Sequence, residues 1–339
     1  MALRLIEVVL PEKDGVEVRD LLKEYKVLEF RQVQLLGGEV LMRILLDAEQ
    51  SEPVLDLLGK RHIGREGNRI VVMSVEATLP RVELESKPTV ASEQPPPEEK
   101  TPGRVGREEL YEDIKSVAQC SRVYIAMIVL STILAAIGLQ RDSATIIIGA
   151  MVIAPLLGPS MALALGTTLG DLSLLWQALR TSLIGILLAM FLSLMIGTLM
   201  HVEPTLSEVV LRTRVEWGDI VLALAAGSAG ALAFTSGSVS GALIGVMVAV
   251  ALLPPLVTFG LLLSGGYPLM AMGALVLFLV NLNCVNLAGV VTFLAQGIRP
   301  ANWWEKGLAA KATRIAVTIL LVSLILLTGL ILLLQQGKI

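Results

Sequence analysis

The segment IGAMVIAPLLGP, Ile148 to Pro159, returns as IGVMVAVALLPP, Ile244 to Pro255, 96 residues later and without a gap. Seven of the twelve positions are identical, among them Gly149/Gly245, Met151/Met247 and Pro159/Pro255. Aliphatic residues coincide easily in apolar sequence, whereas matched glycine, methionine and proline do not. Both copies lie in long apolar stretches and end at proline, the pattern expected of a duplicated, broken membrane helix.

Composition agrees with a membrane body. Apolar residues make up 54% of the 339 and charged residues 17%, outside the usual range of a soluble domain. Charges are frequent over residues 1–86 and sparse over 123–335, which predicts a soluble head followed by membrane spans. A net charge of -3 gives no basic face for nucleic acid. The N-terminus, MALRLIEVVLPEKDG, is too soon charged for a signal peptide, so the head is expected in the cytosol. Cys120 and Cys284 are the only cysteines and read as buried structural thiols rather than a disulfide or metal site.

The head alternates legibly. Leu3–Leu10 reads as a strand and Val16–Tyr25 as a helix with Asp14 as its N-cap. Val27–Leu36 and Glu39–Leu46 read as strands joined by a tight Gly37-Gly38 turn. Glu52–Arg61 reads as a helix and Arg69–Ala77 as a closing strand. The order βαββαβ is that of an α+β ferredoxin-like domain over 1–86. Residues 87–106, rich in Pro and Glu, form a linker. The transmembrane domain, 107–339, opens with an amphipathic helix over Arg107–Gln119, read as continuous with the first span.

Seven spans are predicted, at 121–139, 144–169, 179–200, 218–236, 240–264, 269–295 and 313–335. The fourth, rich in Ala, Gly and Ser, must be shielded by protein. Trp176, Trp217, Trp303 and Trp304 fall at span ends, as an interfacial belt requires, and the cationic residues favour a cytosolic N-terminus. The expectation is a multi-pass protein of the cytoplasmic (inner) membrane.

The repeated segments occupy spans two and five, so one unit holds three spans, and an odd number inverts the second copy. The fold class expected is therefore an α-helical polytopic membrane protein, a 3+3 inverted repeat plus one helix, whose halves meet around a site near the midplane. Pro155, Pro159, Pro254 and Pro255 interrupt the helices late in each copy and free carbonyls that lipid cannot satisfy. Those carbonyls can line a solute path, or the kinks can serve packing alone. Gly158 sits between the first prolines. Gly237, Gly241 and Gly245 form a GxxxGxxxG stripe suited to helix packing. Asn281, Asn283 and Asn286 lie at membrane depth, with Asn283 and Asn286 on one face. They are the leading side-chain candidates for a site, with interhelical hydrogen bonding as the alternative. Asp142, Asp171, Glu203, Glu216 and Asp219 sit in turns or near span ends and read as caps or interfacial charges. No metal, cofactor or catalytic set is expected: HExxH, GxSxG and paired intramembrane Asp are lacking, and the two histidines, His62 and His201, fall outside the spans.

The run from Ile147 to Asp171, the ALLPP of the fifth span, NLAGVVTF in the sixth, and GIRP followed by Trp303-Trp304 resemble the prokaryotic membrane family catalogued as domain of unknown function 389. The resemblance covers most of 120–305 and implies a membrane location without a substrate. Two functions are weighed. One is a channel or transporter for a small solute or ion, gated or assembled by the head. The other is a non-transporting sensor or oligomeric scaffold with a ligand-binding head. Both expect a lipid bilayer and a homo-oligomer as partners, and neither is an enzyme.

Overall fold

The computed structural model describes residues 3–22, 25, 27–35, 37–60, 70–75, 106–200, 203–236, 252–298 and 317–329. Two compact units divide the chain, Met1–Leu110 with Thr235–Gly237 and Tyr111–Phe234 with Ser238–Ile339.

In the first unit β1 (Leu3–Pro11), α1 (Glu12–Leu21), β2 (Val27–Gln34), β3 (Glu39–Asp47), α2 (Ala48–Lys60) and β4 (Ile70–Val75) follow one another. The antiparallel sheet has the order β2-β3-β1-β4. Alternate residues of β1 and β3, Ile6, Val8 and Leu10 with Val40, Met42 and Ile44, are buried and pack with Val18, Leu22, Val54 and Leu58, as the two-residue period of a half-buried strand dictates. Gly37 and Gly38, at φ 104° and 80°, make the hairpin with the positive φ that only glycine adopts freely. Helix α1 begins earlier than the sequence suggests, so Asp14 lies inside its first turn rather than capping it.

Helix α3 (Arg107–Val117) begins in this first unit, where two arginines hold its first turn. Buried Arg4 grips Glu109 through both carboxylate oxygens, at 2.7 and 2.9 Å, a bidentate charge-assisted pair. Arg107 reaches Asp56 at 2.9 Å.

In the second unit the expected continuity of α3 with the first span is broken. The turn after α3 ends at Ser121, whose hydroxyl accepts the Tyr124 amide at 3.1 Å and caps α4 (Arg122–Gln140). A side-chain cap of this kind starts a new helix. Cys120 lies in that turn and is exposed, contrary to the expectation of burial, while Cys284 is buried; both are free thiols.

The remaining helices are α5 (Ala144–Ile153), α6 (Leu157–Leu169), α7 (Leu172–Leu199), α8 (Ser207–Val210), α9 (Trp217–Thr235), α10 (Leu253–Ser264), α11 (Pro268–Ala295) and α12 (Val317–Gly329). Among the described residues α4, α7, α9 and α11 are long and apolar enough to cross a membrane. The pair α5–α6, bent by 50°, makes a fifth if it is one broken span. α10 and α12 are shorter apolar helices within the segments read as spans five and seven; residues 240–251, 313–316 and 330–335 of those segments, and the stripe Gly237, Gly241 and Gly245, lie outside the described residues. Helix α7 starts seven residues before the span read from the sequence, because Asp171 caps it through the Ser173 and Leu174 amides at 2.8 and 3.2 Å.

The 96-residue register extends far beyond the twelve-residue motif. α6 starts at Leu157 and α10 at Leu253; α7 starts at Leu172 and α11 at Pro268, each of the latter two with 28 residues. Gly170 and Gly266, matched in the same register, both take positive φ, 70° and 85°. α4 and α9 each have 19 residues, and with a 95-residue offset their buried positions coincide at Ile128/Ala223, Ser131/Ala226, Thr132/Gly227 and Ala135/Gly230. Packing follows the same exchange: α6 lies against α7 and α11, and α10 lies against α11 and α7.

Candidate functional site

Proline shapes the break between α5 and α6, but not by ending a helix late. Ala154 is extended at φ -67°, ψ 116°, the conformation that a following proline imposes, and Pro155 occupies the bend. Pro159 then lies in the first turn of α6, and Pro254 and Pro255 in the first turn of α10. A first-turn proline lacks only an N–H that the helix would leave unbonded, so Pro159 starts the second helix of the broken pair α5–α6, and Pro254 and Pro255 start α10.

A cavity of about 360 Å³ opens against the second of these starts. Pro255 forms part of its wall, and α11 presents Asn281 between Leu277 and Val285, one turn apart on a single stripe. α5 contributes Ile147, and α9 contributes Asp219 and Ala223. The remaining wall, Glu208 to Arg212, is ionic: Arg212 pairs with Glu208 at 2.6 Å, one helical turn away. The interior is thus an apolar pocket with one amide, beneath a rim of two carboxylates and one guanidinium.

Asp142 fixes that rim. It sits in the α4–α5 turn at φ 50°, and its carboxylate accepts the Glu208 amide at 2.7 Å and the Ser207 hydroxyl at 3.0 Å. The Glu208 amide, then the Ser207 hydroxyl and the nearby Arg212 charge, hold the Asp142 carboxyl below the usual carboxylate range. Asp219 accepts the Glu216 amide at 2.8 Å, the return half of a capping box.

The three asparagines do not converge. Asn281 faces the cavity; Asn283 donates to the Ser323 hydroxyl on α12; Asn286 donates to the Leu282 carbonyl at 2.7 Å. Among the described residues no hydrogen bond reaches the side-chain oxygens of Asn283 and Asn286 or the buried Thr258 hydroxyl. Of the residues named as site candidates from the sequence, Pro255 and Asn281 share the cavity, and Asp219, read there as a cap or interfacial charge, joins them in its wall. Pro155, Gly158, Pro159 and Pro254 do not line it. Gly158 packs on Val117, whose carbonyl oxygen would lie 3.0 Å from a Cβ there. Sequence reasoning missed the Glu208–Arg212 pair of the rim, whose spacing of four was its one visible signal.

At the other end of the broken helix α5–α6, Asp171 accepts the Tyr111 hydroxyl at 2.7 Å. Burial pushes the Asp171 carboxyl up, and hydrogen bonds from Ser173, Tyr111 and Leu174 outweigh it, leaving the carboxyl below its ordinary value. Burial and the Asp171 contact push the Tyr111 hydroxyl up to about 12. Among the described residues no group of His, Cys, Asp and Glu is arranged to hold a metal ion.

Comparison with known proteins adds a relative and a family. The chain is 35% identical over 317 residues to an uncharacterized protein of Methanocaldococcus jannaschii, covering 94% of this chain and 95% of that one. No solved structure matches it. Residues 151–287 carry the family match, and the chain belongs to the family described as Domain of unknown function (DUF389).

Proposed function

We propose that this protein is a channel or transporter for a small solute or ion, with its path at the interface of two inverted three-span halves. The observation that carries this reading is the cavity that joins Pro255, at the start of α10, to Asn281 beneath the Glu208–Arg212 rim. A pocket with an apolar wall, one amide and a charged mouth suits a small partly dehydrated solute. The matched helix starts at 157/253 and 172/268, and the exchanged packing of α6 and α10, support the inverted repeat. In this reading a seventh span contains α12 and the chain sits in the cytoplasmic membrane with its N-terminus in the cytosol. The head is a ferredoxin-like domain, supported by its element order and the strand order β2-β3-β1-β4, and it gates or assembles the spans.

The test is flux. Full-length protein in liposomes is assayed with alkali cations, protons, small anions and small neutral solutes, and Asn281→Leu is expected to lower the flux of the transported species at least tenfold. Absence of flux across that panel overturns the reading.

A second reading, an oligomeric scaffold without transport, is favoured by one observation: edge strand β4 exposes Val71, Val72 and Met73, an apolar edge open to a second copy. Light scattering of the full chain and of Val71→Lys/Met73→Lys tests it; an unchanged oligomeric state sets it aside.

A further inference from the structure

The register that relates the two halves assigns a first-half partner to each cavity residue of the second half. Asp219 matches Tyr124, Leu277 matches Thr181, and Asn281 matches Gly185. In the second half the side chains at these positions leave the cavity of about 360 Å³. In the first half the phenol of Tyr124 takes that space. Its ring lies against Gly185, where a Cβ would come within 3.1 Å of Cζ and overlap the hydroxyl oxygen. The hydroxyl donates to the Thr181 carbonyl at 3.1 Å, and the residue is 4% exposed. A large residue thus meets a glycine in one half, where a short acid and an amide flank open space in the other.

The two places lie at opposite ends of one span. Tyr124 is in the first turn of α4, beside the exposed residues Cys120, Ser121 and Arg122. The cavity lies past the last turn of α4, where Asp142 binds its rim. Sixteen residues separate Tyr124 from Gln140, roughly 24 Å of helix. One direct hydrogen bond holds the phenol, to a carbonyl inside α7 that needs no second donor; withdrawal toward the exposed turn leaves no backbone group stranded.

We propose that Tyr124 is a gate. Its phenol closes a second solute chamber, the counterpart of the Asn281 cavity on the other side of the membrane, and its withdrawal from Gly185 opens that chamber to water. The proposal rests on the transport reading, and alternating exposure follows from it: the structure has the Asn281 side open and the Tyr124 side filled.

The experiment is thiol accessibility in the full-length protein in liposomes, with Cys120→Ser and Cys284→Ala as background and a charged, membrane-impermeant methanethiosulfonate as probe. Asn281→Cys is expected to label with Tyr124 intact. Thr181→Cys is expected to label slowly with Tyr124 intact and at least tenfold faster with Tyr124→Ala. The same gain is expected from Gly185→Ala, whose Cβ displaces the phenol from the opposite side. Tyr124→Phe keeps the ring and its packing and loses only the hydrogen bond, so a several-fold gain is expected. A Thr181→Cys rate unmoved by all three changes, with Asn281→Cys labelling normally, overturns the gate and leaves the cavity standing. Failure of Asn281→Cys to label overturns the cavity reading and the gate with it.

Discussion

Gly289 on α11 lies so close to Ala164 on α6 that a Cβ on the glycine would fall 2.8 Å from the alanine Cβ. The pair matched to it by the 96-residue register, Gly260 on α10 and Ser193 on α7, is tighter still, with a Cβ at 260 only 2.6 Å from the serine Cβ. Positions 164 and 260 exchange roles, and so do 193 and 289, the pattern expected of the inverted repeat proposed above. α6 thus packs on α11, and α10 on α7.

These crossings give a stability prediction. Gly260→Ala and Gly289→Ala force helices apart and are each expected to cost about 1–3 kcal/mol, measured by thermal unfolding of the whole protein in detergent. Ser193→Gly should recover part of the Gly260→Ala loss, because the two side chains compete for one space. Gly149 meets nothing within 4 Å, and Gly149→Ala should leave the midpoint unchanged or raise it. Equal losses at all three sites would refute close packing as the cause.

Thr258 is expected to behave in the opposite way. Its hydroxyl is fully buried in α10 and, among the described residues, has no hydrogen-bond partner, so burial there is a net cost. Thr258→Val keeps the shape and removes the polar atom; it should stabilise the protein by about 1 kcal/mol or leave it unchanged. A loss above that range in thermal unfolding would mean that the hydroxyl is bonded in the membrane.

How much of this was legible in the sequence differs by element. The hairpin was, because Gly37-Gly38 between alternating strands admits few other turns. So was the break between α5 and α6, because Pro155 and Pro159 interrupt an apolar run. The start of α7 was not: Trp176 and Gln177 look like the edge of a span, whereas Asp171 sets the helix start by capping it six residues before Gln177. Tyr124 was not legible either. An aromatic residue near a span end reads as an interfacial anchor, and only the register, which sets it against Gly185 and opposite Asp219 and Asn281, gives it another role.

The Tyr111–Asp171 bond predicts an alkaline transition. The folded value of Tyr111, about 12, lies above the ordinary value near 10, so its protonated form is favoured by folding. That stabilisation is complete below pH 10 and is lost as pH rises through about 12. The ultraviolet phenolate titration of the wild type should therefore contain one component near pH 12 that Tyr111→Phe lacks. If the missing component titrates near 10, the hydroxyl is not bound to Asp171.

Asp142 predicts the acid counterpart at the mouth of the cavity. Its carboxyl is depressed in the folded protein, chiefly by the Glu208 amide and then by the Ser207 hydroxyl and Arg212. The contribution it makes is present above the ordinary Asp value of about 4 and is lost as pH falls through the lower folded value. Protonation at that point weakens the two bonds that hold α8 over the α4–α5 turn, so the rim should loosen before the helices unfold. Amide hydrogen exchange at Glu208 and its neighbours, corrected for the intrinsic pH dependence of exchange, should show protection falling over that interval. Asp142→Asn tolerates the positive φ at this position and removes the charge, so it should show the reduced protection at neutral pH and little further change on acidification. An Asp142→Asn protein with wild-type protection at Glu208 would mean that another contact holds the rim.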